Sequence, residues 1–124
     1  MLFIEEKIVF EEGDLVYVDF GEIQEDNHKQ FGFRPAVVLC NNVVMRECDT
    51  SVVQVIPITS ANKLKNVHIK INEGLEKPSF AIPEQITTID KRQIRKFCGT
   101  VSTEVMNKLK KAIYFQLGLK LKEC

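Results

Sequence analysis

Apolar residues in this chain come in short runs up to about residue 101 and at helical spacing after it. Leu15–Phe20, Ala36–Cys40 and Val52–Ile56 are brief, rich in β-branched and aromatic residues, and separated by polar stretches that contain turn formers. That pattern predicts strands. Val67–Ile71 alternates apolar and polar residues, as a strand with one wet face does. Ser79–Ile82 and Phe97–Val101 carry a weaker form of the same signal, and Ile86–Ile89 continues it after Pro83. Beyond Ser102 the period changes. Val105, Met106, Leu109, Ala112, Ile113 and Leu117 recur at three- and four-residue intervals, with Lys108, Lys110 and Lys111 between them. Ser102 is a suitable N-cap, Glu104 favours a helix's first turn, and Gly118 supplies a stop. The apolar stripe predicts a helix that closes one side of a sheet. The implied architecture is mainly β with α: an antiparallel sheet, strongly curved or closed into a small barrel, flanked by a C-terminal helix.

The length of 124 residues suits a single domain spanning 1–124, with no repeat or linker to divide it. Hydrophobic residues at 44% and charged residues at 27% are globular proportions, so the chain is expected to fold. No apolar run approaches the ~20 residues of a membrane span. The first residues carry acids where a secretory signal needs positive charge. A cytoplasmic protein with no membrane association is therefore expected. Cys40, Cys48, Cys98 and Cys124 form no Cys-x-x-Cys pair or zinc spacing, which predicts reduced, mostly buried thiols and no metal centre. Acids and bases number 17 each, which excludes a strongly basic polyanion binder. Charge is uneven locally, however: 61–70 holds Lys63, Lys65 and Lys70 with no acid, and Lys91, Arg92, Arg95 and Lys96 form a second basic cluster.

No phosphate loop, dinucleotide fingerprint, His-Glu-x-x-His or Gly-x-Ser-x-Gly occurs. Two other features stand out. The polar loop Gly21–Gly32 runs through Phe33-Arg34-Pro35 into an apolar strand, and Pro35 restricts Arg34 to extended geometry. Pro57-Ile-Thr-Ser60 ends the next strong strand just before the basic loop Asn62–Lys65. A guanidinium, hydroxyls and ammonium groups at neighbouring strand ends suit a phosphodiester. On the residues alone, the alternative is a structural ion pair for Arg34 and an ordinary turn bond for Thr59.

Gly13–Phe20, Gly32–Leu39, Val55–Ser60, Glu84–Lys91 and the closing stretch Gly99–Gly118 resemble, in order and spacing, the successive blocks of the MazF/PemK toxin family. The resemblance covers about Glu12 to Gly118. It implies an SH3-like or CcdB-like β-barrel that forms a homodimer. It also implies an endoribonuclease that cuts single-stranded RNA at short motifs without a metal or other cofactor. Further implications are a cognate antitoxin whose acidic, disordered tail blocks the RNA groove, and DNA binding with that antitoxin in autoregulation. By the same resemblance Arg34 and Thr59 match the active-site arginine and threonine. Asn41, Glu84 and Gln85 fall where bases are contacted or the groove is lined, and Ser60, Asn62 and Lys63 fall in the loop bordering substrate. Phe31 or Phe33 is placed to stack a base.

Two positions depart from the family pattern. Thr87 stands where many members have Arg, which bears on base preference. Lys29 stands where many have the glutamate that accepts a proton. An ammonium with an ordinary pKa of ~10.4 cannot accept the 2′-hydroxyl proton at neutral pH. Glu25 is the first candidate to replace it from a shifted register, with Asp26 and His28 as alternatives in the same loop. The rival readings are a non-catalytic binding protein of the same fold, either a topoisomerase poison of the CcdB type or an inactivated interaction module.

Overall fold

The computed structural model describes residues 10–21, 32–40, 51–60, 69–71, 75 and 77–119. The expected strands form wherever they fall on these residues: β1 (Asp14–Asp19), β2 (Phe33–Val38), β3 (Val52–Thr59), β4 (Ile69–Ile71), β5 (Ser79–Ala81), β6 (Thr87–Asp90) and β7 (Ile94–Thr100). The first two residues of the expected strand 67–71 lie outside the described set. Pairing is antiparallel throughout, in the order β4-β5-β3-β2-β1-β7, with β6 also on β3.

Along one edge, β3 serves two neighbours. Val52–Val55 pairs with β6, and Ile58–Thr59 pairs with β5. Pro57 sits at the changeover. Its carbonyl accepts from the Ile82 N–H at 2.9 Å, so its own ring nitrogen faces that same edge, between the two ladders. A residue without an N–H is tolerated there because the changeover asks for no donor. The sheet as a whole curls into a half-barrel.

Both faces of the sheet are covered. Val16, Val18, Ala36, Val38, Val53 and Val55 join Phe10, Ile89 and Ile94 on one face. Leu15, Val37, Ile56 and Ile58 join Ile71, Ala81, Val101 and the helix on the other. Strands buried on two faces read as continuous apolar runs, which is why β1 to β3 are so visible in the sequence. Full burial of each large aliphatic side chain contributes roughly 1.5–3 kcal/mol.

Helix α1 (Thr103–Gln116) begins as its sequence predicts, with the Ser102 Oγ accepting from the Val105 N–H at 3.1 Å. Met106, Leu109 and Ile113 are its buried residues. Leu117, expected in the same stripe, is instead 61% exposed. It is the C-cap residue, so the helical phase that would turn it inward ends there. Gly118 at φ +70 closes the helix: its N–H donates to the Phe115 carbonyl (3.1 Å), and the Leu119 N–H donates to the Tyr114 carbonyl (2.8 Å).

The turn before β1 ties the sheet to this helix. Gly13, at φ +93, donates to the Val38 carbonyl (2.8 Å) and accepts from the Val101 N–H (2.9 Å). A Cβ there would meet Met106 Cγ at 3.4 Å. Asp14 is buried and its Oδ2 accepts from the Glu11 N–H at 2.8 Å. Burial raises the Asp14 pKa, and the Glu11 backbone hydrogen bond opposes this without cancelling it. A carboxyl with a raised folded-state pKa contributes most stability below its unfolded pKa of ~3.9 and loses it as pH rises through the folded value. Asn keeps an acceptor for the Glu11 N–H without the charge. Asp14→Asn is therefore expected to match or exceed the parent in thermal midpoint at pH 7, with any gain shrinking towards pH 4. A destabilisation larger at pH 7 than at pH 4 would contradict the assignment.

Candidate active site

The site is built where two paired strands part. On one side β2 is fully laddered to β1, with Val18 opposite Arg34 and Asp19 opposite Phe33. The Phe20 N–H donates to the Gly32 carbonyl at 2.9 Å, and Gly32 donates to Gly21 at 2.8 Å, so the ladder runs to the edge of the loop. On its other side β2 pairs with β3 only at Ala36↔Pro57, Val37↔Ile56 and Val38↔Val55. The Leu39 N–H donates to the Gln54 carbonyl at 3.0 Å. Donors towards one neighbour alternate along an antiparallel strand, so Val37 and then Pro35 come next. Pro35 has no hydrogen to give, and the ladder ends.

The same register continued one step past Pro35 sets Arg34 opposite Thr59, the last residue of β3. Both belong to the strand face that carries Ala36, Val38, Val53 and Val55, and both are half-buried. The two residues thus stand at neighbouring strand ends, beyond the last residue pair of the β2–β3 ladder, Ala36↔Pro57, with Pro35 and Ile58 between. Arg34 is held by β2–β1 pairing rather than only by the loop before it, because β2 begins at Phe33 and not at Ala36 as the apolar run suggests.

A groove of about 210 Å³ opens at this end of the sheet. Tyr17 of β1, Arg34 and Pro35 of β2, and Ile58 and Ser60 of β3 line it, with Leu75, Lys77 and Ser79 from the approach to β5. Ser79 is buried and its Oγ donates to the Lys77 carbonyl at 2.9 Å, fixing the turn that presents Lys77. Among the described residues the lining carries two cations, Arg34 and Lys77, and no carboxylate. Phe33, beside Arg34, is 62% exposed and available as a flat apolar surface.

Other expected residues lie elsewhere. Glu84 and Gln85 belong to the single 3₁₀ turn Pro83–Gln85, where the Gln85 N–H donates to the Ile82 carbonyl at 3.0 Å. Glu84 lines a second groove of about 370 Å³, against Lys108, Lys111 and Phe115 of α1. The chain therefore does not bring it to the Arg34 groove. Thr87 opens β6 opposite Val55. Glu25, Asp26, His28, Lys29, Phe31, Asn41, Asn62 and Lys63 lie outside the described residues. Tyr17, Leu75, Lys77 and Ser79 line the groove without having been singled out. Tyr17 sits in an apolar run that reads as core, and Lys77 in a polar stretch that reads as solvated surface.

Of the cysteines, Cys40 is buried and Cys98 half-buried, both as free thiols, and burial raises the Cys98 pKa. A thiol raised this way is a poor nucleophile near neutrality. Cys48 and Cys124 lie outside the described set. Among the described residues no three His, Cys, Asp or Glu side chains gather as a ligand set, and no helix is long and apolar enough to cross a membrane. Of the second basic cluster, Arg92 is bound by both carboxylate oxygens of Asp90, at 3.1 and 2.9 Å. This pairing holds the Asp90 carboxyl down at about 2.

Residues 11–117 match the family of PemK-like, MazF-like toxins of type II toxin-antitoxin systems. The chain is 31% identical over 111 residues to Endoribonuclease MazF of Staphylococcus saprophyticus, covering 86% of this chain and 90% of that protein. In fold it is similar to the crystal structure of MazF from Deinococcus radiodurans, at a TM-score of 0.78 with 22% identity, covering 91% of this chain and all of that one. It is also similar to an endoribonuclease in complex with its cognate antitoxin from a mycobacterial species, at a TM-score of 0.71 with 20% identity, covering 92% and 98% of the two chains.

Proposed function

The chain belongs to the family of PemK-like, MazF-like toxins of type II toxin-antitoxin systems, and from that premise we propose that it is an endoribonuclease that cuts single-stranded mRNA at short sequence motifs. The observation that carries this reading is the placement of Arg34 and Thr59 at the ends of neighbouring strands β2 and β3, where their ladder stops short of Pro35. Relatives named as endoribonucleases support the activity, and a groove that Arg34 and Lys77 line suits an anionic strand.

In the proposed step, the ribose 2′-hydroxyl attacks the adjacent phosphorus, its proton passes to a base, the bond to the 5′-oxygen breaks, and the leaving 5′-oxygen takes a proton from water. Charge builds on the non-bridging oxygens. Arg34 would give them a bidentate donor and Thr59 a further hydrogen bond, both fixed before the reaction begins. This step asks for charge stabilisation at phosphorus rather than a metal-activated water. Glu25 is the proposed proton acceptor, with Asp26 and His28 as the other candidates. Phe31, Asn41, Ser60, Asn62 and Lys63 are proposed to hold the substrate. Glu84 and Gln85 would join them only if a second copy of the chain completes the groove.

Such a homodimer has a surface to form on. Phe115, Leu117 and Leu119 are 80%, 61% and 54% exposed at the end of α1, and a second copy would cover them. The inhibitory partner is proposed to be an antitoxin with an acidic tail, consistent with the antitoxin complex among the fold relatives. The setting of these interactions would be the cytoplasm.

Purified protein incubated with a defined long RNA is expected to cleave it equally with and without EDTA, leaving a 2′,3′-cyclic phosphate and a 5′-hydroxyl. Activity lost in EDTA and restored by magnesium would overturn the metal-free step. No cleavage at all would favour the non-catalytic binding protein.

Arg34→Ala and Thr59→Ala should each lower single-turnover cleavage by roughly a hundred- to a thousand-fold, the usual cost of removing one preorganised donor, about 2.7–4 kcal/mol. Thermal midpoints should stay near the parent's. Arg34→Lys is expected to be nearly as slow as Arg34→Ala, since lysine cannot form the fork. Parent rates in Arg34→Lys would contradict the bidentate role.

A further inference from the structure

The groove does not end at Arg34. Lys96 of β7 pairs with Tyr17 of β1, and Tyr17 pairs with Pro35 of β2, so one cross-strand row runs from the sheet's β7 edge into the groove lining. Adjacent strands are about 4.8 Å apart, which puts the Lys96 backbone roughly 10 Å from that of Pro35. The Lys96 ammonium lies over the Tyr17 ring, 5.8 Å from its centroid. Long, exposed and beside a groove residue, Lys96 can swing from the ring to an anion. Lys77 enters the same groove from the approach to β5, its turn held by the buried Ser79 hydroxyl.

Arg95 and Arg92, the arginines of β7 and its approach, are committed differently. Arg95 is the extra residue of a β-bulge, since Tyr17 pairs with Lys96 but Val18 with Ile94. The bulge turns Arg95 to Asp19, at 3.8 Å. Arg92 is held by Asp90 at 2.9 Å. Lys96 has no such carboxylate among the described residues and leans on an aromatic face instead. A lysine so placed is a point charge without fork geometry, suited to a backbone phosphate and blind to base identity.

Resting on the nuclease reading above, we propose that Lys77 and Lys96 are substrate-binding residues that contact backbone phosphates on either side of the one held by Arg34. The groove thereby grips a strand longer than the scissile linkage, independently of its sequence.

The test uses two single-stranded RNAs of unrelated sequence, 2′-O-methylated so that they cannot supply the nucleophile. Their affinity is measured by fluorescence anisotropy across a salt series. Each phosphate contact on a single strand contributes about 0.7 to the slope of log affinity against log salt. Lys77→Gln and Lys96→Gln should each flatten the slope by roughly that amount, and the double variant by about twice it, alike for both sequences. Lys96→Arg should restore the parent slope, and Arg92→Gln, outside the groove, should leave it unchanged. Thermal midpoints of all the variants should match the parent, since the altered side chains are exposed. Parent slopes in both Lys77→Gln and Lys96→Gln would overturn the inference. Cleavage of unmodified RNA by the parent is read in parallel. If the parent cleaves while the slopes do not move, only this inference falls; if it neither binds nor cleaves, the nuclease reading falls with it.

Discussion

Strand β3 must satisfy two neighbours along one edge while lying in the interior of the sheet, and the rest of the architecture follows from how it does so. Its carbonyls and amides serve β6 over Val52–Val55 and β5 over Ile58–Thr59. Unpaired amides buried between the two ladders would be costly, of the order of 1–3 kcal/mol each. Pro57 removes the donor at the point where none is needed. One face of the curled sheet collects Val16, Val18, Val38, Val53 and Val55, and the other the aliphatics beneath α1. On the opposite edge of β3, Pro35 of β2 removes a second donor, and there the ladder ends. One chemical property, a ring nitrogen without hydrogen, thus marks both the changeover between ladders and the groove mouth.

Electrostatics in a chain of zero net formal charge work locally. Arg92–Asp90, Arg95–Asp19, Lys108–Glu104 and Lys110–Glu12 are all solvent-facing to some degree. Pairs of this kind contribute about 0–1 kcal/mol apiece, so they do not hold the fold together. What they do is remove positive charge from places away from the groove. Arg34 and Lys77 line the same recess, and Lys96 stands at its rim. Over the ~8–10 Å that salt leaves unscreened, such a cluster can attract a phosphate backbone that the whole molecule does not.

Much of the fold was legible because strands buried on two faces announce themselves as apolar runs, and because α1 has a cap, a stripe and a glycine stop. The boundaries were less so. Phe33-Arg34-Pro35, Pro57–Thr59 and Ile94–Lys96 are strand residues with prolines or charges where a run would need apolar side chains. Tertiary pairing sets their conformation. Arg34 and Thr59 could be named from sequence because each abuts a proline-marked strand end, but their mutual register exists only across strands. Tyr17 and Lys96, 79 positions apart and directly opposed, carry no sequence signal of their association. Glu84 shows the reverse: position in a motif placed it with the groove, whereas the chain sets it against α1.

The central claim is that Arg34 and Thr59 act as one unit on one phosphate, and a double-mutant cycle tests it most directly. Single-turnover cleavage rates of the parent, Arg34→Ala, Thr59→Ala and the double variant are compared on one RNA. If both donors stabilise the same developing charge, the double variant should be slower than the worse single variant by less than about ten-fold, far short of the product of the two losses. Losses that multiply in full would mean the two residues act independently, and would contradict the account.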